Sequence, residues 1–207
     1  GAVAVVDGDG ALVASIGDIE RPVFPRSAIK LLQALPLVES GAADRFGLSD
    51  EELALACASH NGEPAHTRTA AAVLAKAGLD ESVLECGAHW PYDVPSAHAL
   101  AAAGAVPSAL HNNCSGKHAG FVCLGCVLAG HGEPRGFLAG YVRPEHAVMR
   151  EVNAAVAAVT GCDLSRAPQG TDGCSIPTYA IPLRQLADGF ARAGSGIGLA
   201  PGRAAAA

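Results

Sequence analysis

Lysine is nearly missing from this chain, which has only three among its 207 residues, at positions 30, 76 and 117. No basic run occurs anywhere, and the formal net charge is −6. Nucleic acid and anionic membrane surfaces are therefore not expected as partners. No apolar stretch approaches the ~18 residues of a membrane-spanning helix without a Gly, Pro or charge. No signal-peptide pattern opens the chain, and no internal repeat runs along it. Cysteines do not form an even set. There are seven, which in a domain of ordinary size points to reduced thiols used in packing or metal binding rather than a disulfide framework. A cytoplasmic location is expected to go with them.

What is present is a chain that is 50% hydrophobic, enough for one substantial core. It begins directly in a strand-like run, "GAVAVV", and stops after "GIGLAPGRAAAA" with no closing element. Both ends read as cuts in a longer domain. Asp7-Gly8-Asp9-Gly10 lies between two β-branched runs and predicts a hairpin. After Pro22 and Pro25 a helix should begin near Ser27 and bury Ile29, Leu32 and Leu35. Ser49 and Glu52 form a capping box ahead of "EELALACA". A further helix covers "TRTAAAVLAKAG" and stops at Gly78. "HNNCSGKHAGFVCLGCVLAG" is a polar loop feeding a buried apolar helix. "RPEHAVMREVNAAVAAVTG" and "LRQLADGFARAG" complete the helical set. A hairpin followed mostly by helices gives an α+β or α/β domain whose sheet is partly supplied elsewhere.

Four polar islands interrupt this pattern. Arg26-Ser27-x-x-Lys30 puts a hydroxyl and an amine on one helical face. A lysine whose pKa is lowered can take a serine's proton, although a capping serine and a solvated lysine would look the same. "SHNGE", Ser59 to Glu63, brings together a hydroxyl, an imidazole, an amide and a carboxylate, or is simply a loop. "HNNCSGKH", residues 111 to 118, crowds ligand-type side chains around Cys114 at the start of an apolar helix, more than one cap requires. "GTDGCSIPTY", residues 170 to 179, joins Cys174 to Asp172 and close glycines. By contrast, Cys123 and Cys126 have redox spacing but read as helix core. Cys57, Cys86 and Cys162 read as packing thiols.

In combination, "ERPVFPRSAIK", "ASHNGE", "HNNCSGKHAG" and "GTDGCSIPTYAIP" resemble the Rhizobial-type L-asparaginases, the asparaginase II family, in order and at about its spacing. The resemblance implies a single domain over 1–207, short of the family's C-terminal end and slightly of its N-terminus. It implies a fold like that of serine β-lactamases, penicillin-binding proteins and serine-dependent glutaminases, a sheet with a helical cluster. It implies hydrolysis of L-asparagine to L-aspartate and ammonia, with Ser27 as nucleophile, Lys30 as base and Ser59 as a second active-site serine. A further lysine serving Ser59 would lie beyond the last residue. By the same resemblance Cys114, Lys117 and Cys174 hold zinc, while Arg26, His60, Asn61, Glu63, His118 and Asp172 line the substrate site. A homodimer is implied as well. Two other readings stay open. One is glutaminase or β-lactamase-like acyl transfer on the same Ser-x-x-Lys. The other is a non-catalytic domain that binds a metal or small molecule.

Overall fold

Asp7 turns the first strand back on itself. In the computed structural model, which describes residues 1–207, its carboxylate accepts the amides of Asp9 and Ala11 at 3.1 and 2.8 Å. Strands β1 (Val3–Val6) and β2 (Leu12–Ile16) pair antiparallel across this turn, as the Asp-Gly repeat predicts. β3 (Pro22–Val23) leads into a 3-10 turn, Arg26–Ile29, and α1 (Lys30–Glu39) follows. The α-helix thus begins at Lys30, and Ser27 lies on the tighter turn ahead of it. Ile29, Leu32 and Leu35 are buried as expected.

After the short α2 (Ala42–Arg45), the predicted capping box opens α3 (Asp50–Ala56), with Ser49 and Glu52 exchanging bonds. Glu52 also accepts from Lys76 at the end of α4 (Pro64–Lys76), tying the two helices together. α4 starts before the expected Thr67 because Pro64 can occupy a first-turn position, where no amide is needed. α5 (Val94–Ala102) follows an irregular stretch, then come α6 (Ser115–Leu128) and the short α7 (Pro134–Leu138). α8 (Ala147–Thr160) is capped by the His146 side chain and ends at left-handed Gly161. β4 (Gln169–Thr171) pairs with β5 (Pro177–Tyr179), and β6 (Ile181–Pro182) pairs back with β3. The amphipathic α9 (Leu183–Ser195) is followed by α10 (Pro201–Ala206). No element is read from the sequence here, yet Pro201 starts this last helix and Arg203 pins it to Glu39 at 2.8 Å.

The class is α+β, with helices dominant and the strands in three two-stranded antiparallel ladders. No helix is long and apolar enough to cross a membrane. α6 is the axis of the larger core and is buried from Ser115 through Cys126, Cys123 and Cys126 included. A second core joins Leu32 and Leu35 of α1 to Val156, Val159, Ile181 and Leu186. Gly116 sets the spacing at the head of α6. A Cβ there would lie 2.6 Å from both the Leu55 carbonyl oxygen and its Cγ. Only hydrogen lets the first turn of α6 approach the last turn of α3 so closely. Gly116→Ala should destabilise the protein by about 1–3 kcal/mol through this overpacking, read as a lowered urea midpoint with an unchanged slope.

Candidate functional site

The close approach of α3 and α6 brings the chain after α3 (Ala58 to Gly62) against the chain entering α6 (Asn112 to Lys117). Lys30, the first residue of α1, projects into the seam and is 1% exposed. Its amine bonds the carbonyls of Ala58 at 2.7 Å and Asn113 at 3.4 Å, and the Ser59 hydroxyl at 2.8 Å. Burial lowers the pKa of this lysine, and the nearby charge of Lys117 pushes the same way, while Cys114 and Cys174 oppose it. The amine reading Lys30 as a base matches is therefore present, but the hydroxyl it touches is Ser59. Ser27 lies exposed on the preceding turn; its backbone carbonyl accepts the Lys30 amide, but its hydroxyl makes no hydrogen bond to the Lys30 amine.

Beside Lys30 lies a sulfur and nitrogen cluster. Asn112 positions Cys114 by accepting its amide at 2.8 Å, and donates to the Cys86 carbonyl at 2.8 Å. The Lys117 amine donates to Cys174 Sγ at 3.2 Å. The Cys174 thiol donating toward Cys114, aided by the charges of Lys117 and Lys30, pulls Cys114 down to about 6 against the effect of its burial. The same contact, together with burial, pushes Cys174 up to about 11. His118, fully buried, bonds the Tyr141 hydroxyl through Nδ1 at 2.7 Å, while its Nε2 has no partner.

No group of three or more His, Cys, Asp or Glu side chains gathers into a ready-made metal site. Two thiols and an amine nevertheless make a soft, compact donor set of the kind that suits Zn²⁺. The residues present fit the ion that the resemblance implies.

Backbone strain flanks the cluster. Arg26 and Ser175 are the two non-glycine residues with positive φ, at 49° and 74°. Each costs on the order of 1 kcal/mol or more, which surrounding contacts must offset. Arg26 is held by an ion pair with Asp172 at 2.8 Å, and Asp172 also accepts the Gly173 amide. The Ser175 turn is closed by its own amide donating to the Asp172 carbonyl at 2.9 Å. The turn carrying Ser27 is thus tied to the turn carrying Cys174.

Other expected site residues divide. His60 is buried with both ring nitrogens used. The Ser115 hydroxyl gives its only proton to the Leu110 carbonyl, so His60 Nε2 must be the donor in its 2.8 Å contact with Ser115 Oγ. Nδ1 accepts the Gly62 amide at 3.1 Å. His60 is therefore a neutral brace between the Ser59 loop and α6. Gly62 itself, with φ of +79° and a Cβ position only 3.0 Å from Pro91, admits no other residue without strain. Asn61 is exposed and meets Asp93 through its carbonyl, and Glu63 caps α4 by backbone conformation alone. Neither side chain hydrogen-bonds the cluster. Sequence reasoning missed Tyr141, Asn112, Ser115 and the two carbonyls on Lys30. Backbone acceptors carry no sequence signal, and Tyr141 gives one only once it is known to be buried and to need a hydroxyl partner.

A serine hydroxyl resting on a buried amine, in a helical α+β domain, is an arrangement suited to hydrolysis of an amide. The model of the L-asparaginase II family matches residues 1–207, the whole chain, and the protein belongs to that family of amide hydrolases. Comparison with individual curated proteins gives no significant match.

Burial, reinforced by the charges of His66 and Lys30, pushes His60 down from 6.5 to about 4. The folded state therefore prefers the neutral ring. That preference is fully present above about pH 6.5 and is lost as pH falls toward 4, worth about 3 kcal/mol in all. Urea unfolding across this window should show stability falling with acid, and the fall should flatten in His60→Asn.

Proposed function

We propose that the protein hydrolyses L-asparagine to L-aspartate and ammonia through an acyl-enzyme on serine, with Lys30 as the base. One observation supports this above the others: the Lys30 amine lies 2.8 Å from Ser59 Oγ, within the reach a general base needs. Two of its bonds run to carbonyls, which can only accept. A neutral amine would spend its two N–H groups on Ala58 and Asn113 and turn its lone pair to the serine proton. Burial favours that neutral form. Ser59 is exposed while its base is not, so substrate can reach the hydroxyl without wetting the amine.

In this scheme Ser59 attacks the side-chain amide carbon and Lys30 takes its proton. The protonated amine then returns that proton to the departing ammonia. Water repeats the cycle on the acyl-serine and releases aspartate. Arg26 and Asp172, opposite charges at the rim, suit the α-carboxylate and α-ammonium of an amino-acid substrate. Cys114, Lys117 and Cys174 would hold a zinc ion, which would supply positive charge and stability to the site.

A second reading keeps Ser27 as the nucleophile. Its support is the strained, exposed turn on which Ser27 sits, pinned by Arg26 and Asp172. Ammonia release from asparagine and glutamine, and the colour change of nitrocefin on ring opening, test the substrate class of the purified protein. Preference for glutamine or nitrocefin would replace the asparagine reading, and no turnover of any of the three would favour a binding domain. Ser59→Ala should lower kcat/KM by at least about a thousandfold, and Lys30→Met nearly as much. The two losses should not add, because the pair acts as a unit. Mass spectrometry after a slow acylating analogue should find the adduct on Ser59. An adduct on Ser27 that persists in Ser59→Ala would move the nucleophile to Ser27.

A further inference from the structure

Tyr141 has no exposed surface, so its hydroxyl must place its proton inside the protein. Its oxygen accepts the Glu85 amide at 3.1 Å, and its other partner is His118 Nδ1 at 2.7 Å. An amide can only donate. The phenol proton therefore goes to Nδ1, which must be the acceptor, and the imidazole proton is forced onto Nε2. If the ring were turned to the other tautomer, two protons would point at each other or the phenol proton would be buried unpaired. Nε2 has no hydrogen-bond partner, and the adjacent residue on α6, Lys117, brings Cys174 Sγ to this end of the helix at 3.2 Å from its amine.

We propose that Tyr141 locks His118 as the Nε2–H tautomer and that this N–H is aimed at Cys174 Sγ, making His118 a positioning residue for that sulfur and not a metal ligand. A protonated nitrogen has no lone pair to give an ion, whereas it can donate to a sulfur already bound to one. Lys117 also donates to Cys174 Sγ in this structure. When an ion takes the Lys117 lone pair, that bond is lost and His118 becomes the donor that orients the sulfur. The role toward the metal rests on the zinc reading above; the tautomer does not.

The test begins without metal or substrate. Long-range ¹H–¹⁵N NMR of the protein with ¹⁵N-labelled histidine should show His118 protonated at Nε2 alone. Tyr141→Phe should release the lock and populate the Nδ1–H form. Cys174→Ser should move the His118 Nε2–H resonance, and Cys114→Ser should move it much less. Protonation at Nδ1 in the wild type, or an Nε2–H signal indifferent to Cys174, overturns the proposal whatever the protein's activity proves to be. Zn²⁺ alone, titrated against a chromophoric chelator, separates donor from ligand. His118→Leu should weaken binding about 10–100-fold. His118→Gln, whose amide N–H can stand in for Nε2–H, should restore most of it and leave the Co²⁺ absorption envelope unchanged. Equal loss in both variants with a changed Co²⁺ envelope makes His118 a ligand, and no loss in either removes its positioning role.

Discussion

The site depends on burying one amine. Lys30 costs several kcal/mol to remove from water unless its hydrogen bonds are replaced. The replacement comes from two places that are distant in sequence, the chain leaving α3 and the chain entering α6, and they must meet to supply it. Gly116 permits the meeting by letting α6 touch Leu55, and His60 braces it through Ser115. The amine in turn holds the seam shut, because moving either segment would strand a buried donor. Fold and site are thus one constraint: the helix that organises the larger core also delivers the polar groups around Lys30.

The head of α6 carries the same logic further. Ser115, Lys117 and His118 are as buried as the apolar residues behind them. Such a stretch is tolerable only if its groups satisfy one another. Ser115 does so with His60 and Leu110, and Lys117 with Cys174. Charge is also met locally: Cys114, pulled down to about 6, can carry a negative charge beside Lys117. The strain at Arg26 and Ser175 lies at the edges of this cluster, where the Arg26–Asp172 ion pair and the turn through Asp172 hold both unusual backbones.

Much of this was legible in the sequence because it rests on local chemistry. The Asp-Gly hairpin, the Ser49–Glu52 capping box, Gly161 after α8 and the apolar body of α6 are all set by neighbours within a few residues. The polar islands stood out for the same reason, since Cys114 and Lys117 are out of place at the start of an apolar helix. What the sequence left unread is non-local. Ser27 precedes Lys30 by one turn and α-helical spacing pairs the two, but a 3-10 turn intervenes and the amine meets a serine 29 residues away. Tyr141 contacts His118 only because α6 and the chain after α7 pack together. Asn61 and Glu63 shared an island with Ser59 and His60, yet Gly62 turns the backbone there and leaves their side chains facing elsewhere.

The hydrogen-bond census narrows which groups can move protons. His60 is the usual first candidate for such work, but its Nδ1 holds the Gly62 amide and its Nε2–H holds Ser115. His118 is occupied by Tyr141 on one side and, as we propose, by Cys174 on the other. Both rings are neutral scaffolding with one tautomer allowed, so neither can take a proton from a serine without breaking a buried contact. Asp172 is committed to Arg26 and to the amide of Gly173. The amine of Lys30 differs in kind. Its bonds to Ala58 and Asn113 survive the loss of a proton, because two N–H groups remain for two carbonyls, and the lone pair so exposed faces a hydroxyl. Its deprotonated form still satisfies every neighbour it has.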